Sequence, residues 1–249
     1  MRLTFLAAAL LLAGCAALAP VPETAGIDAV LIGEQHDAEA HAGIQQRWVS
    51  TLAQRGSLGA VALEMAESGT STAGLPPTAT DEQVREALKW NKGTGWPWER
   101  YGPAIMAAVR AGVPVVGGNL SREKMREAMK DETLDVLLPG PALKAQQQAI
   151  RRGHCDMLPE TQVQPMTRVQ IARDISMART ISSSAAPGKT VVLLAGSGHV
   201  LPDVGVPQHL PAKFVARSVL LPSQDTGKDY CAEFKRQQER HRPRPQAAS

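Results

Sequence analysis

Aromatic residues are scarce in this chain, with four Trp, two Tyr and three Phe among 249 residues. Any place where they gather therefore stands out. Strong charge of either sign is also missing: 27 Lys and Arg nearly balance 24 Asp and Glu, for a net +3, and nothing demands a nucleic-acid partner. Cysteine is limited to three residues, none in a CxxC pair, which excludes a thiolate zinc site of the usual spacing. No HExxH occurs, so a zincin helix is excluded. Ala186-Pro187-Gly188-Lys189-Thr190 lacks the first glycine of a P-loop, and Gly196-Ser197-Gly198 lacks the spacing of a nucleophile elbow.

Long apolar runs are confined to the start of the chain. Met1-Arg2 supplies a positive start, Leu3 to Leu12 is apolar but short for a bilayer, and Leu12-Ala13-Gly14-Cys15 closes the segment. This pattern resembles a bacterial lipoprotein signal over residues 1–15, with Cys15 as the lipidated residue and acyl chains as the membrane anchor. By the same resemblance, Ala16 rather than Asp after that cysteine implies the outer membrane, facing the periplasm. Such a compartment permits disulfides, so Cys155 and Cys231 could pair, although their spacing does not decide it.

Residues 16–26 read as a proline-bearing tether, 27–234 as one α/β domain, and 235–249 as a charged, disordered basic tail. Within the domain, short apolar runs at 28–33, 59–65, 113–120, 190–195 and 213–221 read as strands. Helical patterns separate them, near 38–55, 80–90, 121–130, 141–152 and 164–182, with another through Ile105 and Val109 ending at Gly112. Thr80-Asp-Glu-Gln83 has the form of a capping box. Strands alternating with helices point to a mostly parallel central sheet flanked by helices, with a helical subdomain.

Polar residues recur just past the strands. Glu34 and His36 follow the first, Glu64 ends the second, Asn119 follows the third and His199 the fourth. The carboxyl ends of parallel strands share one edge, where open α/β sheets bind ligands. A carboxylate such as Glu64, set among Val, Ala, Leu and Met, needs a partner. Glu34, His36, Glu64 and His199 could act as base, electrophilic helpers or ligands of a divalent metal. Away from the strands, Arg151-Arg-Gly-His154-Cys155 forms a second cluster, and Arg173 could hold a carboxylate in a forked contact. Trp96, Trp98 and Tyr101 concentrate much of the aromatic content in one stretch.

With Gly33-Glu34-Gln-His36, Glu64-Met65, Gly95-Trp96-Pro97-Trp98, Tyr101, Gly117-Gly118-Asn119, His154-Cys155, Gln170 to Met177 and Gly196-Ser-Gly198-His199 in this order, nearly the whole mature chain resembles the ChaN-like haem-binding uptake lipoproteins. These belong to a superfamily with Tiki, TraB and the erythromycin esterases. The resemblance implies a lipid-anchored periplasmic protein that binds haem for iron uptake or storage, as a homodimer with stacked haems, near an outer-membrane haem or siderophore receptor. CxxCH is absent, so the haem would not be covalently attached. A tyrosine ligand to ferric iron would come from Tyr101 or Tyr230, with Tyr101 favoured by its neighbours. Trp96 and Trp98 would offer a flat platform, and His154 and Arg173 further contacts. The alternative implied by the wider superfamily is a hydrolase, with Glu34 as general base, His36 and His199 as ligands or helpers, and Glu64 completing the site.

Overall fold

A computed structural model describes residues 19–90 and 95–241. The expected signal at 1–15 with its Cys15, together with residues 16–18, 91–94 and 242–249, lies outside the described residues.

Five strands form one parallel sheet: β1 (Ala29–Glu34), β2 (Leu58–Glu67), β3 (Val115–Asn119), β4 (Thr190–Gly196) and β5 (Ala216–Leu220), ordered β3-β2-β4-β1-β5. The helices are α1 (Glu39–Gln54), α2 (Asp81–Ala87), α3 (Trp98–Arg110), α4 (Arg122–Ala128), α5 (Gly140–Gly153), α6 (Glu160–Ser183) and α7 (Tyr230–His241). The capping box at Thr80 is present, with its hydroxyl accepting from the Gln83 N–H and the Gln83 side chain accepting from the Thr80 N–H. The α/β architecture expected from the alternating pattern is the one observed.

Strand alternation divides the core by residue parity. Val30, Ile32, Val61, Leu63, Val192 and Leu194 face one side, where they pack with Trp48 and Leu52 of α1 and Ile105 of α3. Ala29, Leu31, Ala60, Ala62, Leu193 and Ala195 face the other, against Met177, Ala178 and Ile181 of α6. The small alanines on this second face let the long α6 lie close to the sheet. Between β3 and α6, the chain from α4 through α5 forms the expected helical subdomain, whose own apolar centre joins Ala128, Leu134 and Leu138 to Ile171 of α6.

Two expectations for the ends of the chain change. Part of the 16–26 tether is docked: Ala19 and Val21 pack on the core, and the Ala19 carbonyl accepts from Arg47 and Trp48 of α1. The expected disordered tail at 235–249 is helical as far as His241, because α7 begins at a fixed point. Cys231 is disulfide-bonded to Cys155, and Phe234 meets the His154 ring edge-on at 5.7 Å. The charged sequence hid a helix whose start is covalently anchored.

Candidate functional site

The sheet order places the ends of β2, β4 and β1 side by side, and with them Glu64, Gly196 and Glu34. Glu34 has the parity of Val30 and Ile32, so its side chain turns toward α1 and α3. It is buried there among neutral donors. The Tyr101 hydroxyl donates to Glu34 Oε1 at 2.6 Å, and the Gln45 amide donates to Oε2 at 2.6 Å. His36 Nδ1 donates to the same Oε1 at 2.8 Å. A carboxylate only accepts, so this contact fixes the proton on Nδ1 and turns Nε2 to the cleft.

Glu64 has the opposite parity, that of Ala60 and Ala62, and its side chain turns toward α6. Its partners there are cations. Arg173 donates to Oε1 at 2.5 Å, and His199 Nε2 lies 3.5 Å from the same oxygen. Oε2 accepts the Gly196 backbone N–H at 2.6 Å. Arg173 is itself positioned by Asn119 Oδ1 at 2.9 Å, while Asn119 Nδ2 donates to the Glu64 carbonyl at 2.8 Å. His199 Nδ1 donates to Asp174 at 2.5 Å, and Asp174 is completely buried on α6. Gln170, Arg173, Asp174 and Met177 share one helical face, which delivers the polar group and its apolar neighbour together.

His36 joins the two halves. Its Nε2 stands 3.8 Å from Glu64 Oε2, so both histidines approach one carboxylate across the end of β4. Only glycine permits this at position 196, where a Cβ would lie 2.7 Å from His36 Nε2 and 3.4 Å from Glu64 Oε2. The expectation that imidazoles distant in sequence gather at one rim is met.

Charge follows the geometry. Burial alone would raise the Glu64 carboxyl, but His199 and Arg173 outweigh it and hold Glu64 well below the usual carboxylate range. Burial likewise opposes a charged His199, yet Asp174 and Glu64 overcome it and hold the imidazole at about 9. Burial pushes the Asp174 carboxyl up, against the pull of His199. Burial and the adjacent Glu34 charge push the Tyr101 phenol far above its ordinary value.

Above these groups opens a cleft of about 940 Å³. Its walls include Gln170 and Arg173 of α6, the turn Gly196–His199, and Leu220, Leu221, Ser223 and Tyr230 from the chain after β5. The His36 side chain is 38% exposed at its floor.

The other sequence candidates are placed less centrally. Tyr101, expected as an iron ligand, is 0% exposed and committed to Glu34. Trp96 meets His36 edge-on at 4.7 Å but faces a neighbouring hollow rather than the cleft. Trp98 is turned away; it bonds Asp81, packs on Trp90 and covers Gly102. No two-tryptophan platform forms. His154 caps the end of α5, with its Nδ1 on the Ile150 carbonyl at 2.7 Å, outside the cleft wall. Tyr230, by contrast, lines the cleft and is 48% exposed. Among the described residues, no group of three or more His, Cys, Asp or Glu side chains could hold a metal ion, so a metal reading of Glu34, His36, Glu64 and His199 finds no support in their arrangement.

Residues 21–210 match the family described as haem-binding uptake, Tiki superfamily, ChaN. No curated protein sequence matches the chain. A solved structure described as cofacial heme binding to ChaN of Campylobacter jejuni has the same fold, with a TM-score of 0.65 at 22% identity, covering 80% of this chain and 83% of that one. The type III effector HopBA1 aligns over 81% of this chain and 79% of its own, at 16% identity and a TM-score of 0.43.

Proposed function

The chain belongs to the ChaN family of haem-binding uptake proteins in the Tiki superfamily, and on that premise we propose that it binds haem in the cleft at the carboxyl edge of its sheet. The observation that carries this reading is the 48%-exposed phenol of Tyr230 on the wall of a cleft of about 940 Å³, a volume suited to a cofactor. A phenolate oxygen suits ferric iron, and the exposed Leu220 on the same cleft wall offers apolar surface to a porphyrin. Tyr101 is poorly suited to that task, since leaving Glu34 would strip a buried carboxylate of a donor. Tyr230 lies beyond the matched span 21–210, so this donor belongs to this chain rather than to the matched region. Arg173 reaches the same wall and could meet a propionate at its exposed edge.

We further propose that Cys15 carries the lipid anchor, that the domain works at the periplasmic face of an outer membrane, and that it pairs into a homodimer on haem binding. An outer-membrane haem or siderophore receptor is the expected donor. The test is a hemin titration of the chain from residue 16 onward. A Soret shift is expected, weakened by Tyr230→Phe and little changed by Tyr101→Phe. No shift in the parent protein would overturn the reading; a shift lost only in Tyr101→Phe would return the ligand to the buried tyrosine.

One observation favours a second reading, hydrolysis. Glu34 holds the His36 Nδ1 proton, which leaves Nε2 facing the cleft as a base, while His199 opposite is a cation held by Asp174. Ester or peptide hydrolysis abolished by Glu34→Ala, in protein that takes up no hemin, would establish that reading instead.

A further inference from the structure

The Cys155–Cys231 disulfide lies outside the cleft, yet it retains one of the cleft walls. After β5 the chain runs as a strap from Pro222 to Asp229 across the turn between β1 and α1, and ends at Tyr230. Its attachments are few and polar. Gln224 and Gln35 exchange two hydrogen bonds of 3.1 Å, and His41 Nε2 donates to the Pro222 carbonyl at 2.9 Å. Tyr230 donates to Asp37 at 2.7 Å, and Lys228 Nζ lies 3.0 Å from the same carboxylate oxygen. No residue from Pro222 to Tyr230 is buried, so apolar packing contributes little to holding it. Beyond the strap, α7 has no extensive packing on any other helix or strand among the described residues; its ties are the Phe234–His154 ring contact and the disulfide.

The bond itself is placed where it can be reached and where its loss would matter. Cys231 is exposed. On the other side, Cys155 and Asp156 have φ values of 56° and 54°, two consecutive non-glycine residues in left-handed backbone. That conformation is costly and persists only where the surroundings impose it.

We propose that this disulfide is a reducible clasp on the cleft: reduction by a protein dithiol frees the strap, withdraws Tyr230 from the wall and lowers affinity for the ligand held there. A thiolate of the reductant attacks the sulfur of the exposed residue Cys231, forming a mixed disulfide and releasing the Cys155 thiolate, which takes up a proton. The reductant's second thiolate resolves the mixed disulfide. The protein gains two thiols, and the dithiol becomes a disulfide. The effect on a bound ligand rests on the haem reading; release of the strap does not.

Two measurements keep these apart. Hydrogen exchange and trypsin cleavage at Lys228 are followed on the chain from residue 16, oxidised and after dithiothreitol, without hemin. Cleavage is expected to accelerate at least about tenfold on reduction, while amides of the central strands keep their protection. Asp37→Asn, which retains the disulfide, is expected to accelerate it less. Unchanged cleavage on reduction, an equal effect from Asp37→Asn, or joint loss of protection in strap and sheet would each overturn the clasp. Hemin affinity is then compared between the oxidised parent and the Cys155→Ser/Cys231→Ser double variant, with no added thiol. A fall of about tenfold or more supports control of the cleft, and equal affinity overturns it. If neither protein takes hemin, the haem reading fails while the clasp stands on exchange and cleavage.

Discussion

Glu34 and Glu64 are both buried glutamates on strands β1 and β2, which flank β4 in one sheet, and they are treated oppositely. Glu34 faces α1 and α3 and is held by a phenol, an amide and one half-exposed imidazole. Glu64 faces α6 and is held by a guanidinium, an imidazolium and a backbone N–H. Parity along the strand decides which helices each carboxylate meets: α1 and α3 bring Glu34 an amide and a phenol, and α6 brings Glu64 a guanidinium. One half is thereby an ion-pair lock, and the other is a hydrogen-bonded seat that aims His36 at the cleft.

The largest expected effect comes from breaking the lock. Glu64→Ala leaves Arg173 and His199 beside a fully buried Asp174 without their shared counter-charge. Denaturant unfolding is expected to show a loss of about 3–5 kcal/mol, the usual cost of orphaning one side of a buried pair. A loss below about 1 kcal/mol would place Glu64 with exposed ion pairs instead.

Next in size is the pH dependence. The folded pKa of His199, about 9, lies above its ordinary 6.5, so this group stabilises the fold fully below 6.5 and loses its contribution as pH rises through 9. The gap corresponds to about 3 kcal/mol at constant environment. Glu64 acts with the opposite sign: its folded pKa is depressed, so its contribution is present above its ordinary 4.5 and is lost as acid protonates it. Urea midpoints measured from pH 2 to pH 10 are expected to fall at the alkaline end through His199 and below 4.5 through Glu64, and Asp174→Asn to shift the alkaline fall to lower pH.

Glu34→Gln tests the neutral half. One carboxylate oxygen becomes an amide donor facing Tyr101, Gln45 or His36, at a cost of about 1–3 kcal/mol. It should be milder than Glu64→Ala, and the reverse order would undo the comparison. Smallest of all in stability is Tyr230→Phe, expected within about 0.5 kcal/mol because the side chain is half exposed. Its effect should appear in the hemin titration and, through the lost bond to Asp37, in cleavage of the strap.

Much of this contrast is legible in the sequence. The runs Val30-Leu-Ile-Gly-Glu34 and Val61-Ala-Leu-Glu64 carry both the strand signal and the position of each carboxylate, and the glycine–histidine endings of β1 and β4 mark the shared edge. The partners are less legible. Gln45 belongs to the buried stripe of α1 that also holds His41, Trp48, Val49 and Leu52, and nothing local separates a buried glutamine there from an exposed one. Asp174 is one polar residue on a helix of mixed composition, where its value depends on His199 in the turn after β4, 25 residues away. The aromatic cluster misleads for a physical reason. Trp98 and Tyr101 are three apart on α3, yet one covers Gly102 on the outside of the helix and the other reaches under β1. Tyr230 gains its place through a long-range disulfide, which no pattern within its own segment encodes.

The most direct measurement is the titration of individual histidine ring signals by NMR in the intact chain, with His199 assigned by its loss in His199→Gln. The lock requires the His199 imidazole to remain charged until the pH approaches about 9. An imidazole at position 199 that gives up its proton near the ordinary 6.5 would mean that Asp174 and Glu64 do not hold it, and the two halves of the site would not differ as described.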